Sequence, residues 1–348
     1  MKITIGSREI SEGNSAFIIA ELSANHNQNY EIAVKTIEAA KEAGADAIKL
    51  QTYTADTITL DCDNEYFQIK QGTIWDGTTL YKLYKQAYTP WEWQPKLKEI
   101  AESLGLICFS SPFDKTAVDF LEKMNVPAYK VASFEITDIP LIEYIASKEK
   151  PVIISTGIAE EVEIGEAVDA CRRMNNEQVI LLKCTSEYPA PFEDMNLNAI
   201  PYLKNKFGCI TGLSDHSMGI SVPAASIALG AKVIEKHLIL DRSLGGPDSS
   251  FSLNPAEFGE MVKSVREVEK ALGRAGLELN EKTKKSRQFA RSLFVVKDVK
   301  QGEIFTGENV RSIRPAFGLP PKLINAVLGK KAKKEIKKGT PLKLDDVE

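Results

Sequence analysis

At 348 residues, with 43% hydrophobic and 26% charged residues, the chain suits one large globular domain plus a smaller one. No apolar run approaches the ~20 residues of a membrane span, and the N-terminus lacks the apolar core of a secretory signal. Five cysteines without CxxC or pairable spacing argue against a disulfide framework or a structural zinc, and point to a reducing, cytoplasmic setting.

The net charge of −4 conceals an asymmetry. Residues 287–348 hold 14 Lys/Arg against 7 Asp/Glu, so this segment carries +7 and the remainder −11. A basic module on an acidic body can bring cations to an anionic substrate, or it can be a solvated face. It has few aromatics for base stacking and no recognised reader motif, so a nucleic-acid partner is not expected.

From residue 17 to 273, strand-like apolar runs alternate with helical patterns. The expected strands are Phe17–Leu22, Ala47–Thr52, Ile107–Ser110, Ala128–Ala132, Val152–Ser155, Val179–Cys184, Ile210–Ser214 and Val233–Leu238. Between the first two, Tyr30–Ala43 puts Ile32, Ala33, Thr36, Ile37 and Ala40 on one stripe, and Gly44 marks its end. Eight strand–helix units over ~250 residues predict a (β/α)8 TIM barrel. An open doubly wound sheet would carry a Gly-x-Gly-x-x-Gly loop after its first strand, and none is present. The connection from Tyr53 to Trp91 far exceeds an ordinary βα loop and carries Tyr66, Phe67, Trp75, Tyr81 and Tyr84. It reads equally as a lid or as a subunit contact.

After Gly273 the pattern changes. The expected organisation is a barrel over 1–277, a polar linker over 278–286 and a small β-rich domain over 287–348. The last contains two copies of a Lys-x-Val/Ile-Lys-x-Gly turn, within Lys297–Glu303 and Lys334–Gly339.

Barrel enzymes carry their chemistry at the C-terminal strand ends, and here those ends are polar. In strand order they supply Glu21 and Asn25-His26, then Lys49 and Gln51, then Ser111, then Lys130, Ser133 and Glu135. Ser155-Thr156-Gly157, Ser186 with Tyr188, Ser214 with His216, and Glu235 with His237 follow. Serines interleaved with inward lysines suit a small phosphorylated carboxylate. His216 and His237, on neighbouring strands and beside carboxylates, suit a divalent cation with open positions, Mn2+ or Mg2+, better than zinc. His26 is the remaining histidine.

These residues carry a resemblance. Ala20-Glu21…Asn25-His26, Lys49-x-Gln51-Thr52, Ser111-Pro112-Phe113, Lys130-x-x-Ser133-x-Glu135, Gly212-Leu-Ser-Asp-His216, Glu235-Lys-His237 and Gly246-Pro-Asp248 resemble the sialic acid synthase family. The resemblance extends over nearly the whole length and implies an antifreeze-like (SAF) domain at the C-terminus. Within the family it is strongest to the pseudaminic acid branch, through Glu21-Leu-Ser-Ala-Asn-His26, Val131-Ala-Ser-Phe-Glu135 and Phe251-Ser-Leu253. Ala132 and Phe134 stand where sialic acid synthases typically have glycines, and Ser186 where they often have asparagine.

The resemblance implies a metal-dependent condensation of phosphoenolpyruvate with an N-acetylated amino sugar, releasing phosphate by C–O cleavage. Lys49, Ser111, Lys130, Ser133, Ser155, Ser186 and Ser214 would hold phosphoenolpyruvate, and His216 and His237 the metal. Glu21 would act as acid or base, while Gln51, Glu135, Tyr188 and Asp248 would contact the sugar. Arg314 would reach in from a partner subunit, implying a domain-swapped homodimer. Three other readings compete. The same reaction on the sialic or legionaminic sugar differs only in the substrate. A Schiff-base aldolase could use Lys49, Lys130 or Lys183. A barrel without catalysis could bind a carbohydrate polymer.

Overall fold

The computed structural model describes residues 1–348, in two compact units, Met1–Gly273 and Arg274–Glu348. The first unit opens with an antiparallel hairpin, β1 (Lys2–Ile5) and β2 (Arg8–Ser11). Eight parallel strands follow: β3 (Phe17–Glu21), β4 (Ala47–Thr52), β5 (Ile107–Pro112), β6 (Tyr129–Val131), β7 (Val152–Ser155), β8 (Val179–Cys184), β9 (Ile210–Asp215) and β10 (Val233–His237). They pair in chain order and β10 closes on β3, which makes the expected barrel. The hairpin went unread in the sequence. Its Ile3, Ile5 and Ile10 are buried in one cluster with Phe17, Ile19, Ala47 and Phe109 at the strand starts.

Helices α1 (Tyr30–Glu42), α2 (Ala55–Ile58), α3 (Leu80–Ala87), α4 (Gln94–Ser103), α5 (Lys115–Lys123), α6 (Ile139–Ala146), α7 (Glu161–Arg173), α8 (Ala199–Phe207), α9 (Ser221–Ala228) and α10 (Pro255–Leu272) occupy the connections. The first shows why the sequence folds this way. Asn29 caps α1 by accepting the Glu31 and Ile32 N–H groups, and Ala33, Thr36, Ile37 and Ala40 bury the predicted stripe. Gly44, at φ 89°, turns the chain out of the helix where a side chain would be strained.

Along each strand, residues two apart share a face, and on several strands the inner face changes character along its length. Phe17 and Ile19 precede Glu21, Ala47 precedes Lys49 and Gln51, Phe109 precedes Ser111, and Val233 precedes Glu235 and His237. The apolar half packs the barrel floor, while the polar half collects at the C-terminal mouth. No helix is long and apolar enough to cross a membrane. All five cysteines are free.

The first unit ends at Gly273, four residues before the expected end of the barrel at 277, and the expected linker holds a short helix, α11 (Glu281–Ser286). In the second unit, strands β11 (Ser292–Val295) and β12 (Val310–Ile313) pair antiparallel, with α12 (Ile324–Val327) beyond them. The two repeated turns face each other: Val299 and Ile336 exchange backbone hydrogen bonds of 2.9 and 2.8 Å. Leu293, Val295, Val299, Phe305, Val310 and Ile336 form this unit's own core.

Candidate active site

A buried charge cluster lies at the centre of the mouth. Lys49 Nζ is 2.5 Å from Glu21 Oε2 and 3.6 Å from Glu235 Oε1, and it donates to Ser111 Oγ at 3.2 Å. Lys130 Nζ lies 3.8 Å from the same Glu235 oxygen and donates to Ser155 Oγ at 2.7 Å. Ser214 Oγ donates to Glu235 Oε1 at 3.2 Å. Seven of the eight barrel strands, all but β8, thus contribute a side chain to one cluster. Glu235, read in the sequence as a polar strand end beside His237 but given no role, takes a central one here, facing both lysines.

Burial and pairing split these groups apart. Burial pushes the Glu21 carboxyl up to about 7 against the pull of Lys49, with Glu235 adding repulsion. Burial also opposes ionisation of Glu235, but Lys130 and Lys49 outweigh it and hold that carboxyl below its ordinary value. For Lys49, burial is outweighed by Glu21 and Glu235, and the ammonium is held up. Burial lowers Lys130, with Glu235 pulling the other way. With Glu21 only partly ionised near neutrality, the cluster favours an arriving anion. Glu21 Oε1 and Glu235 Oε2 are buried without a hydrogen-bond partner, as expected of groups shaped for a ligand.

Beside this cluster, Ser186 Oγ donates to Ser133 Oγ at 2.8 Å, and the Ile158 N–H donates to Ser133 Oγ at 3.1 Å. Gly157 makes room for both hydroxyls. A Cβ there would stand 2.2 Å from Ser186 Oγ and 2.6 Å from Ser133 Oγ. On the other side, the His216 and His237 ring centroids are 5.3 Å apart, with Tyr188 4.4 Å from His216 and Phe251 4.9 Å from His237. His216 Nδ1–H donates to the Thr185 carbonyl at 2.8 Å, which fixes the tautomer and leaves Nε2 as an acceptor. His237 Nδ1 is buried without a hydrogen bond, 3.9 Å from Asp248 Oδ2. Burial, helped by His216 and Lys49, holds His237 well below its ordinary value and therefore neutral.

His216 and His237, with carboxylates nearby, are the side chains that would hold a divalent cation; Cys184 outweighs burial and holds His216 above its ordinary value, so a cation there would displace its proton. No group of three His, Cys, Asp or Glu side chains closes on one point, so a cation held by the two histidines would need further ligands from substrate or water.

The remaining expected residues divide. Gln51 follows Lys49 on the same face, and Glu135, pushed up to about 7 by burial, keeps a buried oxygen without a partner. Asp248 accepts from the Ala24 N–H at 3.2 Å. Arg314 belongs to the second unit, where it is exposed. His26 holds the chain together: it accepts from the Gln28 N–H, bonds Thr89 Oγ1 at 3.1 Å, and is pushed by burial down to about 4. Lys183 bonds the Cys184 carbonyl and Thr185 Oγ1, away from the lysine–carboxylate cluster. Lys49, held protonated between two carboxylates, is a poor amine nucleophile. Two outer clefts, beside Lys204 and Lys232 and beside Gly6 and Ile107, lie at the strand starts and hold no such cluster.

Residues 36–276 match the NeuB family, and residues 290–348 match the SAF domain. The chain belongs to the NeuB family. A pseudaminic acid synthase of Campylobacter jejuni subsp. jejuni is 53% identical over 330 residues, spanning 95% of this chain and 96% of that protein. A pseudaminic acid synthase of Helicobacter pylori is 48% identical over 332 residues, spanning 95% and 97%. Among solved structures, an N-acetylneuraminic acid synthetase from Leptospira borgpetersenii in complex with citrate superposes with a TM-score of 0.74 at 34% identity, covering 82% of this chain and 95% of that one. This NeuB-family barrel therefore carries its polar strand-end constellation where the fold places active sites.

Proposed function

We propose that this chain is a pseudaminic acid synthase, condensing phosphoenolpyruvate with 2,4-diacetamido-2,4,6-trideoxy-L-altrose. The 53% identity to such a synthase over 95% of the chain carries the reading. The lysine–serine cluster supports it, because an anion is what that cluster lacks.

Lys49, Lys130, Ser111, Ser155 and Ser214 bind the phosphate and carboxylate of phosphoenolpyruvate, with Ser133 and Ser186 closing one side. Gln51, Glu135, Tyr188 and Asp248 orient the open-chain sugar so that C3 of phosphoenolpyruvate reaches its aldehyde carbon. A divalent cation held by His216 and His237, Mn2+ or Mg2+, would supply Lewis-acid polarisation of that aldehyde oxygen. Attack of C3 on the aldehyde carbon forms the new C–C bond as the C=O π bond breaks. The resulting alkoxide takes a proton to become a hydroxyl, and C2 is left as an oxocarbenium. Glu21, beside Lys49, takes a proton from the water that adds at C2. Phosphate then leaves with its bridging oxygen as the C2–O bond breaks. The added hydroxyl gives its proton to the departing phosphate and becomes the C2 carbonyl, and the nine-carbon keto acid results.

The working molecule is a homodimer in which Arg314 of one subunit meets the sugar in the other. Support comes from apolar residues left exposed around the barrel mouth, Tyr66, Ile74, Phe134, Ile158 and Phe192, and from exposed Phe289 and Phe317 in the second unit.

Phosphate release is measured with phosphoenolpyruvate and Mn2+, with and without EDTA. The expected result is metal-dependent release with the altrose derivative. Release with N-acetylmannosamine instead moves the chain to the sialic branch. Release with neither sugar overturns the synthase reading.

A further inference from the structure

The long connection between β4 and α4 contains a small two-stranded ribbon. Gln68 pairs with Thr79, Ile69 N–H donates to Thr78 O at 2.9 Å, and Leu80 N–H donates to Phe67 O at 2.9 Å. Asp76 closes the tip by accepting the Gly72 and Thr73 N–H groups, both at 2.9 Å. From Lys70 to Gly77 every residue is exposed except Trp75. Its indole turns back to the barrel, where Nε1–H donates to the Pro247 carbonyl at 2.9 Å and the ring packs 5.3 Å from Tyr188.

Both contacts lead to the same place. Pro247 precedes Asp248, which stands 3.9 Å from His237, and Tyr188 packs 4.4 Å from His216 and 5.0 Å from Phe251. Burying an indole is a packing gain in itself, and what adds to it is the polar anchor, the hydrogen bond to Pro247 beside Asp248. The indole spans two loops, the one after β8 and the one after β10, which nothing else in the tip holds together.

We infer that residues 67–80 form a positioning arm, and that Trp75 sets Tyr188 and the Pro247–Asp248 turn over the sugar end of the site. This rests on the synthase reading above, in which Tyr188 and Asp248 face the amino sugar and the lysine cluster faces phosphoenolpyruvate. The arm lies on the sugar side only, so the two substrates should respond differently to its loss.

The test compares Trp75→Ala and Trp75→Phe with wild type in steady-state assays, varying each substrate in turn. Trp75→Ala loses both the ring contact and the hydrogen bond, and is expected to raise KM for the sugar about tenfold. KM for phosphoenolpyruvate should move by less than about twofold. Trp75→Phe keeps a ring and should recover part of the loss. Asp76→Ala, which loosens the tip but keeps the indole, should show the same split at smaller size. Thermal unfolding checks that each variant is folded. Equal changes in both KM values, or none, in an active wild-type background overturn the arm and leave the synthase reading standing. A wild-type protein that turns over another amino sugar overturns only the sugar assignment, and the split is then read on that sugar. No turnover by wild type with any amino sugar overturns both.

Discussion

Glu21 is under two opposed pressures, burial that disfavours its charge and Lys49 at 2.5 Å that favours it. The outcome, a carboxyl near 7, is the value at which a group can take a proton from water and give it back. As the base for water addition it must be ionised, so kcat/KM should rise with pH through about 7. Glu21→Gln should lower kcat by about 100- to 10,000-fold and flatten that limb in a pH–rate profile. The same shift has a stability sign. A carboxyl raised on folding stabilises the folded state below the ordinary carboxylate range, and that contribution is lost as pH rises through about 7. The Tm of Glu21→Gln should therefore fall less than that of wild type across this window. Gly157 makes a steric prediction. An added methyl would press on the Ser133 and Ser186 hydroxyls, which are side-chain ends and can yield, but only by leaving the positions in which the proposed function uses them. Gly157→Ala should raise KM for phosphoenolpyruvate about tenfold while leaving the protein folded, as circular dichroism would show.

At the level of the element, the barrel strands were legible because their apolar runs are short, β-branched and bounded by turns. Ala47–Thr52, Val152–Ser155 and Val179–Cys184 form over the expected residues, and the other ends shift by one or two. The hairpin Lys2–Ser11 was not legible, since its strands are only four residues each, Arg8 stands on the face of Ile10, and its isoleucines are justified only by the barrel floor they meet. The arm at 67–80 escaped for a similar reason: backbone bonds and one aspartate hold it, and neither leaves a hydrophobic period. The outer face of β9 and β10 shows what supports the histidines. Lys236 and Asp215 are register partners whose side chains meet at 2.5 Å, both wholly buried, and Asp215 also accepts the Ser217 N–H at 2.9 Å. Removing one partner strands the other charge. Lys236→Met should cost about 3–5 kcal/mol in urea unfolding, and Asp215→Leu with Lys236→Met should recover most of it. Because His216 and His237 adjoin this pair, the single variant should also bind Mn2+ more weakly by equilibrium dialysis.

Across the whole molecule, the polar constellation could be read because a barrel converts strand order into position: residues far apart in sequence become neighbours at one mouth. Glu21, Lys49, Ser111, Lys130, Ser155, Ser214 and Glu235 needed only the two-residue alternation and the closed strand order. Arg314 has no such rule. It lies in a separate compact unit with its own core, so no barrel register assigns it to a site. The +7 charge of its segment suits the use proposed above, a further cation brought to an anionic substrate. If that cation comes from the partner subunit, two inactive variants should rescue each other. His237→Ala disables the barrel that carries it, and Arg314→Ala disables the barrel of the neighbour. In a mixed dimer one mouth then receives both defects and the other none. Co-expressed and freely assorting, the pair should regain about a quarter of wild-type activity, because half the dimers are mixed and half their sites are intact. If Arg314 serves its own barrel, every mouth in every dimer carries one defect, and the mixture stays as inactive as its parents.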